Sequence, residues 1–474
     1  MSLIPHSFDR VRTWLQHTPP ASPEPSQKPE PSQKRRRDDD MSRNSSPKRQ
    51  RVDPNDVLPN QSVSQVGSTS VVDLSDRTTL TAPRGSKRGG SPTRSLTELR
   101  TATPSISLSP FNQVKQPPSV DVAARLNNLR RRLGRPTGYI PAGLREVIES
   151  DVAFAPSLAM EPIDAEAYDD NDIRLASDPS LVDALDRVKR IFQNACHCTE
   201  FGRDENAWCY LVVWPLVELA MKLHDTAKFR FESVYGRPRG SRASCLLLNN
   251  YYRQSQTIEP LYLSSIPEPT SASPNRRVAL MRKTDFCFSY SYLNPVFAEL
   301  YARLGAAKSS AISHTLDNCT QRLGLFSGIE VKPENGDCKE AELQISIWMA
   351  ASLRKKMELA LLATRVPDLP TTGNDADDVA TPINESATVQ LAHLLEPAIA
   401  IIGNEHRVYY AYPSSHKGDV TVLGPDEKFM NMSTRSVQGI FRLALFYAEL
   451  MRWGHDEFWT LFLGPVLEQL GKVG

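Results

Sequence analysis

Hydrophobic positions are unevenly placed along this chain. Up to residue 120 they are scattered among Ser, Pro, Gln and charged residues, with neither a helical nor a strand period. From Pro179 onward they fall into runs. Leu181, Leu185, Val188, Ile191 and Phe192 recur at helical spacing and predict an amphipathic helix over 181–198. Residues 204–224 predict a second helix, with Trp208, Leu211, Val212, Pro215 and Leu219 inward and a kink or break at Pro215. Alternation predicts strands over 276–291 and 324–332. A long helix over 337–364 and a polar exposed loop over 366–386 follow. Short strands are expected over 398–402, 408–412 and 420–423, and closing helices over 433–453 and 457–470. This order predicts a mixed α/β (α+β) domain over 178–470. Before it, 121–177 reads as a linker with short helices peripheral to the domain. One is basic, over 123–133, with Leu126, Leu129 and Leu133 on one side. Another runs from Tyr139-Ile140-Pro141 to Ile148.

Composition sharpens the division. Residues 1–120 hold 16 of the 36 prolines and only three aromatics, Phe8, Trp14 and Phe111. Such a segment buries too little apolar surface to offset the entropy of ordering, so 1–120 is expected to be a disordered tail. The formal net charge of +1 is a cancellation between a tail of +7 and a remainder of −6. Two basic clusters stand in the tail: Lys34, Arg35, Arg36 and Arg37, then Lys48, Arg49 and Arg51 after ten residues. Pro47 keeps the second extended. The pair resembles a bipartite nuclear localisation signal, which implies a nuclear import receptor as partner and the nucleus as destination. Ser46 is one of several serines and threonines preceding proline, and phosphate there would place about −2 beside the second cluster.

All seven cysteines follow residue 120, and charges interrupt the N-terminus before an apolar signal core forms. The best apolar run, 208–221, contains Glu218, so no membrane span is expected. Reduced thiols in a soluble intracellular protein follow. Cys196-His197-Cys198 with Cys209 lacks the usual two-to-four-residue spacing of zinc ligands and reads as small thiols on helices.

The chemistry concentrates in Asp285, Glu330, Lys332 and Gln344. Asp285, in Arg282-Lys283-Thr284-Asp285-Phe286-Cys287-Phe288, is expected inside a strand otherwise apolar on both flanks. Glu330 and Lys332 share one face of a strand while Ile329 and Val331 take the other. Two converging carboxylates are costly unless a cation neutralises them, and Mg²⁺ binds through one or two carboxylates. Lys332 would stabilise charge developing on phosphorus. Gln344 shares a helix face with Ile347, Trp348 and Ala351 and is expected beside Lys332 or the attacking water. Glu205, upstream, could add a carboxylate. His406, His416 and His455 read as surface or satisfied groups, and Trp348 and Trp453 as core.

Asp285 followed by Glu330-x-Lys332 resembles the PD-(D/E)XK nuclease superfamily, and Gln344-x-x-x-Trp348 looks like its Gln-x-x-x-Tyr element. More closely, the chain is similar to a fungal PD-(D/E)XK nuclease-like domain family. The shared features are Glu205 near Trp208, Lys283-x-Asp285, Ile329-Glu330-x-Lys332, Ala341-x-x-Gln344-x-x-x-Trp348 and Trp453, over roughly residues 178–465. The resemblance implies a restriction-endonuclease-like mixed sheet flanked by helices. It implies Asp285 and Glu330 as ligands of Mg²⁺ or Mn²⁺, Lys332 as catalytic lysine, and Gln344 and Glu205 as support. Thr284 stands where the superfamily's name has proline. The expected function is Mg²⁺-dependent hydrolysis of DNA phosphodiester bonds in the nucleus. An inactive nuclease-like fold binding DNA or protein is the alternative, and a hydrolase of another phosphoester a third reading. For DNA contact the acidic domain offers local basic groups: Arg237, Arg239 and Arg242; Arg276 and Arg277; and Arg354, Lys355 and Lys356.

Overall fold

A computed structural model describes residues 70–73 and 91–472, apart from 115–116, 136, 227, 234–257, 268–276, 308–310 and 366–392. The basic clusters at 34–37 and 48–51, the arginines at 237, 239, 242 and 276, and the polar loop expected over 366–386 lie outside the described residues.

In chain order, α1 (Pro92–Thr101) leads into β1 (Ile106–Ser109), and α2 (Val120–Leu133) follows. α3 (Pro179–Glu200) begins where Asp178 accepts a hydrogen bond from Ser180 N and Pro179 supplies the first helical φ. One turn, Glu205–Ala207, then a π-helical stretch, Trp208–Val213, run into α4 (Trp214–Leu223). The irregularity sits just ahead of Pro215, as its missing N–H requires. Next come β2 (Phe229–Ser233), β3 (Phe286–Tyr290), α5 (Pro295–Ala306) and β4 (Leu325–Lys332). α6 (Cys338–Ala363) is capped by the Asp337 carboxylate, which accepts from Lys339 N and Glu340 N. β5 (Glu396–Ile402), β6 (Glu405–Pro413), β7 (Val420–Leu423) and α7 (Val437–Trp453) follow. A second π-helical stretch, Gly454–Leu463, runs into α8 (Gly464–Leu470).

The seven strands form one mixed sheet in the order β1-β7-β6-β5-β4-β3-β2. β4 is parallel to β5 and antiparallel to β3. Side chains of β6 show what covers each face. Tyr409 donates to Glu342 and Arg407 to Cys338, both on α6, whereas His406 bonds Tyr447 on α7. Helices therefore cover both faces, with α3, α4 and α7 packed together on the α7 side. This is the mixed sheet flanked by helices that the residue pattern and the resemblance imply.

Several expectations need correction. The strand expected over 276–291 is two strands in two sheets. Arg277–Met281 is the middle strand of a separate three-stranded sheet, between Ser70–Asp73 and Ser265–Pro267. Residues 282–285 leave both ladders, so Asp285 immediately precedes β3 instead of lying within a strand. The disordered tail does not extend to residue 120. α1 packs on α6, and β1 pairs in parallel with β7, Ile106 opposite Val420. The expected linker is not peripheral, because Leu126, Leu129 and Leu133 of α2 are buried. Arg130 meets the buried Asp426 at 2.6 Å, and Arg132 reaches Glu449 and Asp456. These segments look polar because their few apolar residues face the domain and their arginines find acids on it.

Candidate active site

Asp285 and Glu330 are brought together by β3 and β4. Phe286 stands opposite Ile329, and Asp285 N donates to Ile329 O at 3.1 Å. Asp285 Oδ2 accepts from Val331 N at 2.7 Å, so its carboxylate is held on the β4 backbone. Thr284 Oγ1 donates to the same Ile329 carbonyl at 2.7 Å. A hydroxyl thus pins the chain where the superfamily's name has proline. The 44 residues between Asp285 and Glu330 leave the pairing of their strands intact. They contribute α5 and the segment around His314, which packs edge-on against Trp348 with ring centroids 4.3 Å apart.

Glu330 is fully buried, and among the described residues neither of its carboxylate oxygens accepts a well-aligned hydrogen bond. Lys332 Nζ lies 2.8 Å from Glu330 Oε1, an ion pair set too obliquely to count as a hydrogen bond. The same ammonium donates to Glu205 Oε2 at 2.8 Å. Burial, and after it the Asp285 carboxylate, push the Glu330 carboxyl well above its usual range. Burial, with Glu205 second, raises Asp285 to about 7. Burial works to lower the Lys332 ammonium, but Glu330, Asp285 and Glu205 overturn that and hold it above its ordinary value. Lys332 is therefore a fixed cation among three acids. With Glu205 it forms the partly exposed end of the cluster, whereas Glu330 is closed off.

Gln344 lies on α6, within the helix expected to carry it. Its Nε2 donates to Lys283 O at 3.2 Å, two residues before Asp285, and no hydrogen bond joins it to Lys332. Its Oε1 is buried without a hydrogen-bond donor. Trp348 and Trp453 are buried, as expected of core residues. Gly328 explains how Trp348 approaches β4, because a Cβ there would stand 2.6 Å from Trp348 Cδ1. Cys209 was not singled out for this site. It lies in the buried stretch after Glu205, where burial and then Asp285, Glu205 and Glu330 raise its thiol well above its usual value. Only the spacing Glu205-x-x-x-Cys209 hinted at it.

A chain with this strand pairing, a buried Asp and Glu-x-Lys, and a glutamine helix across them matches one known family over residues 153–459. It belongs to the PD-(D/E)XK nuclease superfamily. No curated protein and no solved structure matches it.

Members of the superfamily commonly use divalent metals. Here Glu330 offers two buried oxygens without hydrogen-bond donors and Gln344 Oε1 a third. Such oxygens suit a hard cation. Among the described residues no set of three or more His, Cys, Asp and Glu side chains is grouped to hold a metal by itself. The donor set fits an ion that takes one or two carboxylates and completes its shell with water and substrate oxygens. Cys196 is exposed and Cys198 buried on the same helix, which agrees with reading them as ordinary thiols.

The basic groups expected to meet DNA from α6 are corrected. Arg354, Lys355 and Lys356 are all buried. Arg354 donates to the carbonyls of Gly418 and Tyr262, both at 2.8 Å, and Lys356 Nζ lies 2.6 Å from the buried Glu396. Their charge serves the interior. His406 is likewise buried, its Nδ1 3.0 Å from the Tyr447 hydroxyl. Among the described residues no helix is long and apolar enough to cross a membrane.

Proposed function

We propose that this protein is a divalent-metal-dependent nuclease that hydrolyses DNA phosphodiester bonds, with Mg²⁺ or Mn²⁺ as the ion. The observation that carries the reading is Glu330. A carboxylate this deeply buried has a second acid beside it, and its one close cation, the Lys332 ammonium, is shared with Glu205, so negative charge is left for a further cation to neutralise. Asp285 and Glu330 would hold the ion, with Gln344 Oε1 near the same strand. When bound, the ion supplies Lewis-acid polarisation of a phosphoryl oxygen and makes water a better nucleophile.

The chain's own groups supply the rest. Lys332 stays protonated, so it acts as a positive charge and not as a base. Its ammonium, at the open end of the cluster, stabilises negative charge building on the phosphoryl oxygens. Glu205 holds that ammonium in place. The Asp285 carboxylate is oriented by Val331 N, and Gln344 braces the loop before it through Lys283 O.

The test is cleavage of single- and double-stranded DNA with Mg²⁺, Mn²⁺ or EDTA. Lys332→Ala is expected to slow cleavage by about 10²–10³-fold. Titration calorimetry with Mn²⁺ should show binding that Glu330→Gln weakens. DNA binding without cleavage under any metal would favour the non-catalytic binding module. Cleavage untouched by Lys332→Ala would overturn the reading. For localisation, we propose nuclear import through Lys34, Arg35, Arg36, Arg37, Lys48, Arg49 and Arg51, read by the import receptor. A fluorescent fusion with the first four changed to Ala is expected to lose nuclear accumulation.

A further inference from the structure

The strand Ser70–Asp73 lies outside the span matched to the nuclease superfamily. It pairs in parallel with Arg277–Met281, Ser70 opposite Val278 and Asp73 opposite Met281. Among the described residues it stands at the edge of its sheet, and one of its backbone edges carries the ladder. The strand it sits on ends four residues before Asp285. Four residues held along one edge gain few backbone bonds against the entropy of ordering them. Such a strand is suited to exchange for another partner's edge.

Its sequence differs from the tail around it. Between Val52 and Asp76 there is no Lys or Arg, and the four charges are Asp53, Asp56, Asp73 and Asp76. This is an acidic island in a basic tail. Within it Val71, Val72 and Leu74 form an apolar group, with Asp73 among them and Ser75-Asp76 directly after. The β-branched valines favour extended backbone. A strand whose sequence continues the apolar group to Leu74 and then into acids complements a domain that presents an unpaired edge strand, an apolar groove beside it and a basic rim.

We propose that residues 70–76 are a strand-donating docking motif for a small ubiquitin-like modifier, a domain of that description. The strand Arg277–Met281 holds residues 70–73 of the motif in cis until the modifier takes them. Phosphate on Ser75 would add about −2 beside Asp76 and strengthen the contact with a basic rim. The proposal does not rest on nuclease activity, and its measurement is binding alone.

The experiment titrates the full-length protein into isotope-labelled small ubiquitin-like modifier, with ubiquitin as control. The expected result is perturbation along the modifier's exposed edge strand and none on ubiquitin. Val71→Ala with Val72→Ala should weaken binding about tenfold or more, that is by about 1.4 kcal/mol or more. Asp73→Lys with Asp76→Lys should weaken it too, and more at low salt. Amide exchange in 277–281 should quicken when the modifier binds. Absence of binding at millimolar protein, or binding unchanged in both double variants, would overturn the docking motif. Unchanged exchange in 277–281 would overturn its seat in cis.

Discussion

Glu330 and Lys356 show how two buried charges can serve opposite ends. Lys356 Nζ meets Glu396 at 2.6 Å and donates to Ser352 Oγ, so that pair is closed within the core. Lys356→Ala leaves Glu396 buried without its cation and should cost about 3–5 kcal/mol, read by chemical denaturation. Glu330 is instead left without hydrogen bonds and relies on an oblique ammonium. That is an open valence, and it is the reason to look for an ion there. Gly328 is the residue whose absence of a side chain makes the site possible. Gly328→Ala would push against Trp348, and overpacking of about 1–3 kcal/mol is expected, with a lower Tm. The same displacement would carry along α6, so cleavage should fall more than the stability loss alone explains.

At the scale of elements, the site depends on three that converge. β3 carries Asp285 at its entry, β4 carries Glu330 and Lys332, and the turn Glu205–Ala207 brings Glu205. α6 closes over them and is buried along most of its length. The N-terminal segments α1 and β1 complete that enclosure. Arg354 Nη2 reaches Pro104 O at 3.2 Å and Ser264 Oγ at 3.1 Å, tying α6 to the turn before β1. Removing residues 1–115 should therefore lower the thermal midpoint by several degrees, whereas removing residues 1–69 should not, as calorimetry would show. At α2, Arg130→Ala strands the buried Asp426 and should cost about 2 kcal/mol.

At the scale of the whole molecule, burial of histidines sets a pH dependence. Burial lowers His406 to about 3 and His224 to about 4, and it lowers His314 well below its usual value. In the unfolded chain these titrate near 6.5. The unfolded state therefore binds more protons as pH falls below that value. The contribution of these histidines to stability is present in full above about pH 6.5 and is lost toward pH 4. Each histidine contributes up to about 1.4 kcal/mol per pH unit in that window. His406→Gln should flatten the slope of denaturation free energy against pH. A slope unchanged by that substitution would mean that His406 does not sense the acid range.

Local pattern alone determined much of this protein. The helices at 181–198 and 337–364 and the strand at 324–332 were legible because apolar spacing reports a face that must be buried. Asp285, Glu330 and Lys332 were legible because acids and a lysine are unusual beside such apolar runs. Other features depend on partners distant in sequence. The break between Arg277–Met281 and β3 could not be read locally, since both halves look like strand and only the sheet each joins separates them. β1 and α1 were hidden in a polar tail because a short edge strand needs few apolar residues when β7 and α6 supply the rest. The basic run at 354–356 looked like a surface patch. Tertiary structure put it inside, where carbonyls meet Arg354, the Tyr262 hydroxyl meets Lys355 and Glu396 meets Lys356. Composition reports how much charge a chain carries, and only the packed fold decides which charges face water.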